Sequence, residues 1–215
     1  MKHPKTRRMV ALSLNVGLIL AAGAVLLQAG AAPRTAFAAA LGETEARDIA
    51  TDAYIYGYPL VTMEMTRRVM TNVAKPDGSH APMGQFAAMR TYPNATFRDI
   101  TTPNADTLYE VAWIDLSKEP WVLGNPDMKG RYYMLPLLDG WTDVIKDPGT
   151  RTTGTAPQSY AITGPGFKGA LPQGVTEIKS PTNLVWVLGR IYSTGTPDDY
   201  AEVHALQDKM ILVPL

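Results

Sequence analysis

Several groups of polar residues in this 215-residue chain have types and spacings that could do chemistry. The first is Asn104-x-Asp106-Thr107-x-Tyr109. Asp106 stands just before a run that alternates as a strand does. Its carboxylate at a strand mouth could act as a general base or accept hydrogen bonds from a ligand. Asn104 could orient it, Thr107 could donate to it, and Tyr109 or Tyr133 could deliver the proton. The competing role is structural, since Asn or Asp before a strand commonly closes an Asx-turn onto the backbone.

The second group is Arg131, Arg151 and Arg190. Arg131 precedes Tyr132-Tyr133, and Arg190 lies between Trp186 and Tyr192, so both are expected to be partly buried on strands. A guanidinium there needs a carboxylate partner, for which Asp106, Asp139 and Asp143 are the candidates. Arginine also reads anions through its bidentate fork. Arg151 lies in Gly149-Thr150-Arg151-Thr152-Thr153-Gly154, where hydroxyls and glycines suit a carboxylate, sulfate or phosphate, and it is the stronger candidate for a ligand contact. The third group is Asp139-Gly140-Trp141-Thr142-Asp143 with Asp147. It lacks the one-three-five spacing of a calcium loop and reads as a solvated turn. Trp141 could floor a sugar or lipid pocket, or simply be buried.

Several chemistries have no sequence support. Beyond the first 38 residues the histidines are His80 and His204, with no His-x-x-x-His pair for zinc. A Gly-x-Ser-x-Gly elbow, a phosphate loop and a dinucleotide fingerprint are all missing. No metal or cofactor is therefore expected.

Composition narrows the setting. The first 38 residues hold five basic residues (Lys2, Lys5, Arg7, Arg8, Arg34) and no acidic one, so the rest, with 15 basic and 20 acidic residues, carries a net −5. That argues against sequence-independent nucleic-acid binding and against a polybasic membrane patch. There is no cysteine, so a core without disulfides must hold the domain together. The start is basic, Val10 to Pro33 is uncharged, and Ala36-Phe37-Ala38 is a small-x-small triplet of the kind signal peptidase cuts. Residues 1–38 read as a signal peptide cleaved before Ala39, which implies a periplasmic or secreted location. The rival is an uncleaved membrane anchor.

The elements that must position these side chains follow from periodicity. Residues 42–73 read as helix. Ile49, Ala53, Tyr56, Leu60, Met63 and Met70 form an apolar face, and Gly57 and Pro59 are expected to kink or split it. Residues 74–94 read as loop, with a possible helical turn at 85–89. Strands are predicted at 107–116, 121–123, 131–138, 159–163, 175–178 and 183–192, separated by Gly/Pro/Asn turns. In the first of these, Tyr109, Val111 and Trp113 share one face and Leu108, Ala112 and Ile114 the other. Thr196-Pro197-Asp198-Asp199 opens a final helix with a cap, a proline in the first turn and early acids. The expected fold is α+β, mainly β. A helical lead-in over 39–96 packs on an antiparallel β-sandwich over 97–215, which ends in a short helix.

Six separated runs carry a resemblance: 53–60 (AYIYGYPL), 103–109 (PNADTLY), Arg131-Tyr132-Tyr133, Leu138-Asp139-Gly140-Trp141-Thr142, 148–154 (PGTRTTG), and Pro181-Thr182-Asn183 with Trp186 and Gly189-Arg190. Together they resemble the bacterial exported family called domain of unknown function 1254, in order, across residues 45–215. The resemblance implies a helical lead-in and a β-sandwich, and no defined activity. It also implies a second β-rich domain, of the type called domain of unknown function 1214, as a possible partner domain or chain; the sequence ends before one.

Two functions follow as expectations. One is a cell-envelope module that binds a small anionic or amphiphilic ligand, or docks a partner β-domain. The other is a metal-independent hydrolase or lyase with Asp106 as base, Tyr109 or Tyr133 as proton donor and Arg151 as anion holder. Nucleic acid is not an expected partner, and a membrane is one only if the leader stays uncleaved.

Overall fold

The structure, a computed structural model, describes residues 42–215. The expected signal peptide and its cleavage point lie outside the described residues. Packing divides the chain into a unit ending at Tyr56 and a unit from Gly57 to Leu215. Helix α1, Glu43–Thr71, runs through that boundary with Pro59 inside it. It is one element, not two. A proline deletes a single donor, and on an exposed helix the freed carbonyl can turn to water. The expected apolar face is largely exposed at Ile49, Tyr56 and Leu60, whereas Met63 is buried.

The second unit is α+β and mainly β. Its strands are β1 (Ala87–Ala88), β2 (Thr107–Asp115), β3 (Trp121–Asn125), β4 (Tyr133–Met134), β5 (Leu137–Leu138), β6 (Val144–Lys146), β7 (Gln158–Thr163), β8 (Thr176–Lys179), β9 (Leu184–Tyr192) and β10 (Ile211–Pro214). Helix α2, Pro197–Gln207, lies between the last two strands. One sheet runs β1-β2-β9-β5-β6, with β4 also on β9; the other runs β10-β3-β7-β8. Pairing is antiparallel except for β7 with β8.

The differences from the sequence reading have local causes. Residues 87–88 form a strand, not a helical turn, because Ala87 and Ala88 pair with Val111 and Glu110. The run 131–138 splits into β4 and β5 around Leu135-Pro136, since a proline cannot donate to a ladder. The last helix begins as expected, with the Thr196 hydroxyl accepting from the Asp199 N–H.

The core lies between the sheets. Leu108, Ala112 and Ile114 of β2 and Val185, Val187 and Ile191 of β9 meet Leu123, Tyr160, Ile162 and Ile178 of the smaller sheet. The opposite face of β2 and β9 carries three cross-strand pairs: Tyr109 with Arg190, Val111 with Leu188, and Trp113 with Trp186. The two indoles stack at 4.8 Å between centroids with 8° between planes. Met70 of α1 packs against the apolar group of Met89, Tyr109 and Val111 on this outer face.

Candidate functional site

Between the α1 segment from Gly57 onward and the outer face of the six-stranded sheet lies a cavity of about 800 Å³. One wall is a stripe at helical spacing, Val61, Met65 and Val69, joined by Met70. The floor is Tyr109 and Val111 of β2 with Trp186 and Leu188 of β9. The loops around residues 79–80 and 99–101 close one edge.

The polar group at that edge is Ser79, His80 and Asp99. The Ser79 hydroxyl donates to Asp99 Oδ2 and lies 3.2 Å from His80 Nδ1. His80 Nδ1 is 3.9 Å from the same carboxylate oxygen. These residue types suggest a nucleophile relay, but the order is wrong for one. In a working triad the histidine lies between serine and carboxylate. Here the serine lies between, and it is buried. The trio clasps two loops at the mouth of an apolar space. The reciprocal backbone bonds of Asp77 and His80 fix the first of those loops, at 2.8 and 3.0 Å.

The Asn104 motif folds as the structural reading predicts. Asn104 Oδ1 accepts from the N–H groups of Asp106 and Thr107 at 3.2 and 2.9 Å and from the Thr107 hydroxyl at 3.0 Å. Its amide then donates to the Tyr109 hydroxyl at 2.6 Å. Asn104 thus orients Tyr109, not the Asp106 carboxylate, which is on an exposed residue. Across the strand pair, the Arg190 guanidinium lies over the Tyr109 ring at 5.0 Å. Asn104, Thr107, Tyr109 and Arg190 are therefore brought together, and of the four Tyr109 lines the cavity.

The remaining candidates lie elsewhere. Tyr133 is fully buried on the core face and donates its hydroxyl to the Gly154 carbonyl at 3.0 Å, so the sheet separates it from Tyr109. Burial pushes its phenol up from the ordinary value. Arg131 does not pair with Asp106, Asp139 or Asp143. It meets Asp199 at 2.8 Å and Glu202 at 2.6 Å and donates to the Tyr192 carbonyl. Desolvation opposes ionisation of Asp199, but the Thr194 N–H, Arg131 and Ser193 hold its carboxyl at about 2. Arg151 is exposed and stacks on Tyr132 at 5.7 Å. The hydroxyls beside it are already engaged. Thr150 accepts from the Tyr133 N–H, Thr152 donates to the Asp147 carbonyl and Thr153 accepts from the Gly149 N–H. Gly149 permits this fold, because a Cβ there would lie 2.6 Å from the Tyr133 carbonyl oxygen. Trp141 sits in a turn built on buried Asp139, whose carboxylate accepts from the N–H groups of Trp141 and Asp143. His204 is half-buried, with its ring 2.6 Å from the Arg90 carbonyl.

The family model described as Protein of unknown function (DUF1254) matches residues 83–214. The chain belongs to this family. A solved relative of this DUF1254 domain is the VPA0106 protein from Vibrio parahaemolyticus, with a TM-score of 0.62 and 28% identity. The match covers 78% of this chain and 38% of the Vibrio chain, so the domain spans well under half the length of that relative. No curated protein matches the sequence.

Tyr109 apart, the residues lining the cavity are not among the candidates read from sequence, yet signals for them exist. Val61, Met65 and Val69 form a second apolar stripe on α1, beside the one the periodicity picked. Strand β2 is apolar on both faces, which requires a cover on each.

Proposed function

We propose that this DUF1254 domain is an exported cell-envelope module that binds an amphiphilic small molecule in the cavity between α1 and the six-stranded sheet. The observation that carries this reading is the cavity itself. About 800 Å³ is within the range of small-molecule sites, and such sites are mostly apolar with a few placed polar groups. The basic, uncharged and small-x-small succession over residues 1–38 supports export.

A neutral fluorescent probe, N-phenyl-1-naphthylamine, tests the reading. It should bind with saturation at one site. Met65→Trp, which fills the space, should remove that binding, whereas Val144→Trp, at an exposed position away from the cavity lining, should not. Binding untouched by Met65→Trp would place the probe elsewhere and refute the reading.

A second reading, docking of a β-rich partner, is favoured by strand β10. It ends the four-stranded sheet with Ile211 and Val213 about half exposed (49% and 47%). An apolar sheet edge is a template for an added strand. Co-expression with a domain of the DUF1214 type should then give a complex on size exclusion that Val213→Lys breaks. Separate elution of the two unmodified domains would count against it.

A further inference from the structure

We infer that Arg190 recognises the carboxylate of an acyl chain whose tail lies in the cavity, an inference that rests on the cavity being a ligand site. The Arg190 side chain has no hydrogen bond or ion pair among the described residues; its contact is the Tyr109 ring at 5.0 Å. Its Nε is buried without an acceptor. A partly buried guanidinium with no counter-charge is costly to keep, and Arg131, with two carboxylates, shows how this chain satisfies an arginine when the role is structural.

The surroundings of Arg190 ask for acceptor oxygens. Tyr109, under the guanidinium, lines the cavity. Its oxygen already accepts from Asn104, so its hydroxyl hydrogen is left to donate. The indole N–H groups of Trp113 and Trp186 are also buried without acceptors, and Trp186 lines the same cavity. Every unpartnered buried atom on this face of β2 and β9 is a donor; the unpartnered acceptor Glu110 Oε2 is on the core face. The donor edge of one guanidinium matches a single planar carboxylate. From Arg190 to Trp186 is four residues of extended strand, about 13 Å, a length that suits a medium or long acyl tail.

The test is displacement of N-phenyl-1-naphthylamine from the full chain by dodecanoate and by dodecanol, which share a tail. Dodecanoate should act at about tenfold lower concentration or better, since a charge-assisted hydrogen bond contributes at least that much. Arg190→Gln should bring dodecanoate to the dodecanol level with probe binding kept, and Arg190→Lys should restore part of the preference. Equal potency of acid and alcohol on the unmodified chain overturns the inference, as does a preference that survives Arg190→Gln. The unmodified chain decides this even if the variant fails to fold. An unmodified chain that binds the probe but shows no acid preference loses only the carboxylate assignment; no probe binding at all removes the cavity reading and this inference together.

Discussion

Strand β9 carries two environments on one backbone. Its core face places Val185, Val187 and Ile191 among fully buried apolar side chains, with Tyr133 opposite Ile191 and its hydroxyl satisfied. The outer face places Trp186 and Leu188 on the cavity wall and Arg190 over the ring of Tyr109, which lines it, with two of those three β9 side chains holding buried donors that have no acceptor. The contrast extends to the arginines. Arg131, just before β4, meets two carboxylates at α2, while Arg190 meets only an aromatic ring. A face built for stability leaves few polar atoms unpaired. Unpaired donors next to an apolar space mark where a ligand can contribute what the chain does not.

The largest effect should come from the core face. Tyr133→Ala removes a fully buried ring and leaves the Gly154 carbonyl without its donor, and should cost about 3–5 kcal/mol in urea unfolding. A loss below about 1 kcal/mol would blur the distinction between the faces.

Glu110 comes next, a carboxyl on the core face. Burial pushes it from 4.5 up to about 8, against the attraction of Arg90. The folded state therefore holds a proton that the unfolded state releases above pH 4.5, so stability falls as pH rises from about 5 to 8, by up to about 1.4 kcal/mol per unit. Glu110→Gln should flatten that slope, as measured by urea midpoints across the window. A slope unchanged in the variant would assign it to another group.

The arginines should give the smaller, most discriminating pair. Arg131→Ala leaves partly buried Asp199 with its Ser193 and Thr194 hydrogen bonds but no counter-charge, and should cost about 1–2 kcal/mol at pH 7. The Asp199 contribution is present above its ordinary 3.8 and is lost as pH falls through about 2. Arg190→Gln breaks no ion pair and should change stability by about 1 kcal/mol or less. Equal costs for the two would mean that Arg190 is as structural as Arg131.

Much of the fold was legible in the sequence because its signals are local. Alternation in β2 and β9 needs only a period of two, and Thr196-Pro197 marks the start of α2 by cap chemistry. The short strands β1, β6 and β10 carry too few residues to show a period; pairing with neighbours defines them. The site was legible in part. The Asn104 motif and Arg190 stood out by residue type, but the register that puts Arg190 over Tyr109 is a long-range fact. Arg131 found Asp199 and Glu202 some seventy residues away, across a distance no spacing rule covers. Ser79 and Asp99 come from separate loops and have nothing in common until the chain folds.

The most direct measurement is a crystal structure of the protein with 12-bromododecanoate, locating the bromine by its anomalous signal. A bromine peak between Val61–Val69 of α1 and Trp186–Leu188 of β9 is expected. A cavity closed by its own side chains, with bromine bound elsewhere, would contradict it.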